Sequence, residues 1–478
     1  MGQEIDHCSF EPADFRRYQR CLQEETARVL TLISEHRLSE RAGVGGFELE
    51  AWLVWEDGRP APLNDAFLAR LGDDLVVAEL ARYNVELNVD PQAIAGEGLR
   101  RLEKALQQRW SACDRAARSL GARMVMTGIL PTVRDSDLTP GNMSSLRRYA
   151  ALNEQVLKGR KGRPMRLDIV GHDHLTSVHH DVMLEAAATS FQVHLQVPAA
   201  ASRRYYNAAM ICSAPCVAIA ANAPFLFGKD LWEETRIPLF EQAVEAGGFS
   251  GAASGPVRRV TFGSGYVSES IAEVFRENKE HYPPLLPVHF CGGAERLAHL
   301  RLHNGTIWRW NRPLLGWDSE GRPHLRIEHR VMAAGPTVVD QMANAAFFYG
   351  LVEQLAQRDV APELVLPFEG ARDNFYEAAR LGLSSHPCWL DGSRHNMKML
   401  VLHSLLPMAR NGLEGMDVAA ELIDRYLAVI EERVARECTG SAWQRAFVAK
   451  HGRDMAALTR AYRDRSDTGI AVHEWDIG

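Results

Sequence analysis

A chain of 478 residues, 46% hydrophobic and 24% charged, is long enough to bury a large core without disulfides or a structural metal. Its length suits two or three average domains or one large catalytic unit. The formal net charge of −7 and the lack of a long basic run count against a nucleic-acid surface. The eight cysteines are scattered and form no CxxC pair, as expected of reduced, partly buried thiols in a cytoplasmic protein. Met1 to His7 lacks the basic-then-apolar profile of a signal peptide.

In chain order, apolar residues recur at helical spacing from Glu11 to His36 (Phe15, Tyr18, Leu22, Val29, Leu32, Ile33) and predict a first helix. A strand follows at Gly46 to Leu53, turning out at Trp55-Glu56-Asp57-Gly58. A short helix precedes Val76 to Asp90, which ends in a strand. Glu97 to Leu120 reads as a long amphipathic helix stopped by Gly121, and Ala122 to Ile129 as a buried strand. Met143 to Lys158 is helical; Arg166 to Gly171 and Ser190 to Val197 are strands, with a histidine-rich loop, His172 to His180, between them.

Ala208 to Gly228 carries no charge over 21 residues, but Ser213, Pro215, Asn222 and Pro224 interrupt it, so a core helix and buried turn fit better than a membrane span. From Asp230 the pattern is helix and loop, punctuated by glycines at 247–255 and 292–293, until the strand Leu325 to Val331. Past Pro336 the chain reads as helical to Arg465 in four or five segments. Early and central strands with helices gathered at the end predict an α+β fold.

Four of these strands alternate in the same way. In Phe47-Glu48-Leu49-Glu50, successive side chains take opposite faces, so both glutamates share one. They stand about 6.6 Å apart at roughly 3.3 Å per residue. At an effective dielectric of about 20 they repel by on the order of 2–3 kcal/mol, unless water or a cation intervenes. Asn84 to Asp90 sets Glu86 between apolar Val85 and Leu87, Phe191 to Val197 alternates Gln192 and His194 with apolar residues, and Leu325 to Val331 holds Arg326, Glu328 and Arg330. A sheet with one wet face also alternates, but such a face is richer in Lys, Thr and Ser. Carboxylates with a histidine or amide suit hard divalent cations such as Mg2+, and neighbouring arginines suit phosphate oxygens. Together they point to phosphoryl transfer, where positioning and charge neutralisation carry the chemistry.

These residues resemble the glutamate–cysteine ligase superfamily, in particular the bacterial family-2 carboxylate–amine ligases. Phe47-Glu48-Leu49-Glu50 is similar to the family's first strand, whose two glutamates bind metal. Glu79-Leu80, ahead of Glu86-Leu87-Asn88, resembles the second acidic pair, and Gln192-Val193-His194 a ligand-bearing strand. Asn222-Ala223-Pro224-Phe225 with Arg236 is similar to the loop and arginine that approach substrate and phosphates. Arg326-Ile327-Glu328-His329-Arg330, closed by Gly335-Pro336, resembles the strand whose glutamate binds metal and whose arginine meets the phosphoryl group. One departure stands out: Gly128-Ile129-Leu130-Pro131 occupies the place of the relatives' Gly-Thr-His-Pro, which puts the substrate in question, and with it cysteine as the acceptor.

The resemblance implies a curved antiparallel sheet, an open half-barrel like that of glutamine synthetase, wrapped by helices. The expected units are a catalytic domain over 1–340, with residues 1–40 as an N-terminal helix, and a helical region over 341–478. It implies an ATP-dependent ligase that forms an amide through an acyl phosphate, on glutamate or a related amino acid, with two or three Mg2+ (or Mn2+). The implied metal ligands are Glu48, Glu50, Glu79, Glu86, Gln192, His194 and Glu328. Arg330 and Glu328 are the implied catalytic pair, and Asn222, Arg236, Arg326 and Arg330 would contact ATP or substrate. The expected partners are amino-acid and amine substrates, with no nucleic acid and no membrane; a homo-oligomer is compatible with the pattern.

Two other readings follow from the residues. The cluster His172-Asp173-His174 and His179-His180-Asp181 could serve a metal-dependent hydrolase, and a non-catalytic nucleotide-binding homologue could keep the same face. Trp308-Arg309-Trp310 could stack on a base or an adenine but reads better as aromatic packing of a loop, and Phe347, Phe348 and Tyr349 read as core.

Overall fold

The computed structural model describes residues 4–5, 9–246, 258–318 and 320–478, so the glycine-rich stretch at 247–255 lies outside the described residues, as do residues 1–3 and 6–8 of the N-terminal stretch read for a signal peptide. The strands are β1 (Val44–Trp55), β2 (Val76–Ala78), β3 (Asn84–Ala93), β4 (Ala122–Val125), β5 (Met165–Val170), β6 (His174–His179), β7 (Phe191–Val197), β8 (Phe225–Leu226), β9 (Lys229–Asp230), β10 (Asn311–Trp317) and β11 (Pro323–His329). Seven of them form one sheet in the order β10-β11-β7-β1-β3-β2, with β4 taking over from β7 along the far end of β1. Every pairing is antiparallel, and the sheet curls into an open half-barrel.

Register turns four separate alternations into one wall. Glu50 lies opposite Glu86, Glu48 opposite Gln192, and His194 opposite Glu328. Directly opposed residues of an antiparallel pair project to the same face, so the polar positions of β1, β3, β7 and β11 line a common trough. The other face is apolar and buried: Phe47, Leu49, Leu87, Val193, Leu195 and Ile327.

The helices comprise α1 (Pro12–Ser34), α2 (Asn64–Leu71), α3 (Gly98–Ser119), α4 (Arg147–Gly159), α5 (Ser202–Ile219), α6 (Arg236–Ala243), α7 (Ala272–His281) and α8 (Ala298–Gly305). They continue with α9 (Val338–Ala356), α10 (Phe368–Leu381), α11 (Met397–Leu400), α12 (Leu406–Gly415), α13 (Ala420–Ala435), α14 (Gly440–His451) and α15 (Met455–Ser466). The apolar face of the sheet rests on α9. Phe47 stacks with Tyr349 at 6.4 Å, the Tyr349 hydroxyl donates to the His194 carbonyl at 3.0 Å, and the rings of His329 and Phe348 lie 4.1 Å apart. The uncharged stretch at 208–228 is the buried helix α5 and its following turn, and no described helix is long and apolar enough to cross a membrane.

The C-terminal helices are tied into this framework. Arg433 pairs with Asp340 at 2.7 Å, Tyr462 donates to the Met126 carbonyl at 3.0 Å, and Ser466 donates to the Pro336 carbonyl at 2.7 Å. Gly335, at φ +82°, sits where a Cβ would meet the Met126 carbonyl oxygen at 2.0 Å, so only glycine fits this crossing. The division expected at residue 340 falls inside α9.

Several expectations need correction. The histidine-rich segment is not a loop throughout: His174–His179 is strand β6, which forms a hairpin with β5, and outward side chains of the pair alternate with buried Leu167, Ile169 and Leu175. The strand expected over 122–129 ends at Val125, opposite Trp52, short of the stretch of β1 that pairs with β7. The C-terminal region has seven helices rather than four or five, α11 and α12 being joined by a wider helical turn. Strand β10 fell in a region read as helix and loop. Pro313 and Gly316 broke its pattern, and proline is tolerated there because β10 is an edge strand.

Candidate active site

At one end of the trough three ligand-bearing side chains converge. Glu48, His194 and Glu328 are buried and bring one ligand atom each within 4.8 Å of one another, the only such group among the described residues. His194 Nε2 lies 3.2 Å from Glu48 Oε1 and 4.0 Å from Glu328 Oε1. Glu48 Oε2 and His194 Nε2 are buried without a hydrogen-bond partner.

Arginines surround this trio. Arg312, on β10 and fully buried, grips Glu328 with both prongs, Nε to Oε2 at 2.7 Å and a terminal nitrogen to Oε1 at 3.0 Å. Arg330 adds a contact to Glu328 Oε2 at 3.3 Å and donates to Gln192 Oε1. Arg326 Nε donates to His194 Nδ1 at 3.2 Å. Burial by itself would raise these carboxylates, but Arg312 and then Arg330 carry Glu328 down to about 2. For Glu48 burial is likewise outweighed, by His194 first and Arg330 after it, and it falls well below the carboxylate range.

The adjoining end is acid-rich. Glu50, Glu79 and Glu86 meet there with Glu185, which sits on the short turn of helix Met183–Ala187. Glu50 accepts from the Ser190 N–H at 2.6 Å and from Gln192 Nε2 at 3.0 Å, and Glu86 from Asn88 at 3.0 Å. Tyr149 of α4 donates to Glu79 at 3.4 Å. Burial, and then the neighbouring carboxylates, push Glu50 and Glu79 up to about 7 and Glu86 and Glu185 up to about 8.

Three spaces open along the trough, the second and third sharing Glu50, Glu79, Glu185 and Arg330. One of about 500 Å3 lies beside Glu48 and His194, between Arg41, Trp317, His324 and Arg326. A central one of about 300 Å3 has acids and Arg330 on one side and Leu300, Trp308, Leu314 and Leu315 on the other. The closed end, about 40 Å3, is lined by Glu50, Glu79, Glu185, Arg330, Arg236 and Trp310 among others. Arg236 lies over Trp310 at 5.4 Å and spends one terminal nitrogen on the carbonyls of Arg330 and Val331.

Of the candidate residues, Glu48, Glu50, Glu79, Glu86, Gln192, His194, Arg236, Arg326, Glu328 and Arg330 all reach the trough. Asn222 does not. It is fully buried, donating to the Ala334 carbonyl and the Tyr462 hydroxyl at 2.7 Å each and accepting from Gln444 at 3.0 Å, so it braces the C-terminal helices against the core. Leu130, where relatives carry histidine, is also fully buried in the core and lines none of these spaces.

The histidines of the hairpin do not converge. His174 bonds Asp168 at 2.8 Å, His179 approaches Asp135 at 3.2 Å, and His172 lies 3.9 Å from Asp230. Nor is Trp308-Arg309-Trp310 only loop packing, since both tryptophans line the trough while Arg309 is buried against Glu277 at 3.0 Å. Reading by alternation missed Arg312 and Glu185. A lone acid in the apolar run Val182 to Ala188 was the one available signal for the latter.

A sequence model of glutamate-cysteine ligase family 2 (GCS2) matches residues 44–464. The chain belongs to this family. All of the candidate trough residues lie within the matched span. No match to a curated protein was found. Among solved structures, the family member is similar to the glutamate–cysteine ligase of Francisella tularensis in complex with AMP, at 12% identity over 92% of this chain and 91% of that one, with a TM-score of 0.57. It is also similar to a bifunctional glutathione synthetase from Pasteurella multocida, at 12% identity over 93% of this chain and 55% of that one, with a TM-score of 0.57. Likeness at that identity is a likeness of fold, and it is the half-barrel with its helical C-terminal region that is shared.

Proposed function

We propose that this protein is an ATP-dependent carboxylate–amine ligase that joins glutamate, or a related amino acid, to an amine through an acyl phosphate. The observation that carries the reading is the buried trio Glu48, His194 and Glu328 set beside Arg330, with room for ligands on either side. The AMP in the Francisella ligase supports the nucleotide half of the proposal.

In the first step a carboxylate oxygen of the amino acid attacks the γ-phosphorus of ATP and ADP leaves. In the second the amine nitrogen attacks the acyl carbon, the bond to phosphate breaks, and the nitrogen gives up a proton. Arg330 lines the central space and the closed end, and its Nε has no hydrogen-bond partner, so it is placed to receive oxygens of the transferring phosphoryl group. Arg326 lines the space beside the trio and suits the remaining phosphates. Arg236 suits a substrate carboxylate at the closed end.

Glu48, His194 and Glu328 fit a divalent cation: their ligand atoms are clustered, and two of them are buried without partners. Such an ion, when bound, would neutralise triphosphate oxygens. Ligation through Nε2 would leave the ring proton on Nδ1, where Arg326 now donates, and so would require release of Arg326. Gln192 is the least available candidate ligand, since its oxygen accepts from Arg330 and its nitrogen donates to Glu50. Glu50, Glu79 and Glu86 would serve a further ion only after drawing together.

A screen of ADP release over pairs of amino acids and amines tests the proposal. Release that requires both partners and a divalent ion supports it; no ADP with any pair overturns it.

A further inference from the structure

The closed end of the trough holds one acid that the fold does not use. Glu50, Glu79 and Glu86 each accept a hydrogen bond, from Ser190 and Gln192, from Tyr149, and from Asn88. Glu185 accepts none: its carboxylate has neither a hydrogen bond nor an ion pair among the described residues, and its Oε2 is shut off from solvent. Its charged neighbours are Glu79, Glu50 and Arg330. A carboxylate oxygen buried without a donor is unfavourable, and packing offers no compensation here, because a glutamine of the same shape would fill the space without the charge.

We propose that Glu185 binds the ammonium group of the amino-acid substrate, and so selects an α-amino acid over a plain carboxylic acid. The inference rests on the ligase reading above. Glu185 lines both the closed end and the central space. In the closed end it is joined by Arg236 and Arg330, nine-tenths buried or more; the Nε of Arg330 lacks a hydrogen-bond partner, and that of Arg236 lies 3.4 Å from Glu234 Oε1. A zwitterionic head group there meets both an acid and guanidinium groups. Trp310 and Phe240 supply aromatic surface, which favours a cation over a neutral group. A small divalent ion suits this end less well, since no three of Glu50, Glu79, Glu86 and Glu185 bring ligand atoms within 4.8 Å of one another.

Calorimetric titration of L-glutamate and of glutarate, which differs by the amino group alone, tests the assignment in the presence of Mg2+ and a non-hydrolysable ATP analogue. The expected result is that the wild-type protein binds glutamate about 10- to 100-fold more tightly than glutarate. Glu185→Gln should bring the two within about threefold, leaving glutarate and nucleotide affinity unchanged, and Glu185→Asp should restore part of the difference. Glu185→Gln should melt no lower than wild type, since no contact of the fold is lost.

Equal binding of the two acids by wild type, or binding of neither, overturns the proposal without needing a variant. So does undiminished discrimination in Glu185→Gln, or a loss confined to nucleotide affinity or Mg2+ dependence. If ADP release persists with discrimination undiminished in the variant, only the role of Glu185 falls. If no amino acid and amine yield ADP, the ligase reading falls with it.

Discussion

Glu328 and Glu185 occupy the same trough in opposite electrostatic circumstances. Glu328 is held by both prongs of Arg312 and by Arg330, whereas Glu185 faces Glu79 and Glu50 and shares its space with Arg330 and Arg236 without a hydrogen bond or ion pair to either. Burial raises both, yet one ends near 2 and the other near 8. Desolvation alone therefore does not set the character of a buried acid; the count of cations within reach does. The compensated end keeps its carboxylates charged and fixed, as a site for cation and phosphate requires. The uncompensated end stores repulsion that a cationic ligand group can relieve.

The sharpest way to break this contrast is to strip the compensated end of its guanidinium. Arg312→Met strands Glu328 in the interior and should cost about 3–5 kcal/mol in denaturant unfolding, whereas Glu185→Gln should cost nothing. Next, Glu328→Gln should lower ATP-dependent ADP release at least about 100-fold while circular dichroism shows the fold retained, because the lost charge is the one that Arg312 and Arg330 are arranged around. Turnover near the wild-type rate in that variant would count heavily against the site.

The acid-rich end can be tested by pH. Glu50 and Glu79, near 7, and Glu86 and Glu185, near 8, all lie above the unfolded value of about 4.3. The folded protein thus keeps protons that the unfolded chain has released, and this contribution to stability is whole below about pH 4 and lost as pH rises through 7 to 8. With a chelator present, stability should fall as pH rises between about 5 and 9, and Mg2+ should flatten the profile. A flat melting profile without Mg2+ would show that these acids are already neutralised.

Two smaller effects sharpen the picture. Arg330→Lys keeps the charge but loses the fork, and should slow ADP release roughly tenfold or more with nucleotide affinity less affected. Trp310→Leu removes the surface beneath Arg236, and should weaken amino-acid binding by less than about tenfold in the same titrations.

Alternation made the polar wall legible before any coordinates: a period of two along β1, β3, β7 and β11 reports which residues share a face, and the fold class followed from the order of strands and helices. It failed where local pattern and place in the fold part company. Pro313 and Gly316 hid the edge strand that carries Arg312, and Glu185 lies on a turn with no period to read. Asn222 was a candidate because Asn222-Ala223-Pro224-Phe225 resembles a family loop that approaches substrate, but three partners from distant parts of the chain enclose it.

By itself, then, the amino-acid order determined which side chains share the polar face and which the apolar face within each strand, because that depends only on backbone geometry a few residues long. Tertiary structure alone decided which charges meet: that Arg312 would bond Glu328, and that among the described residues no side chain would hydrogen-bond Glu185. Electrostatic energy falls with distance through space rather than along the chain, so the state of each acid was settled only when strands far apart in sequence came into register.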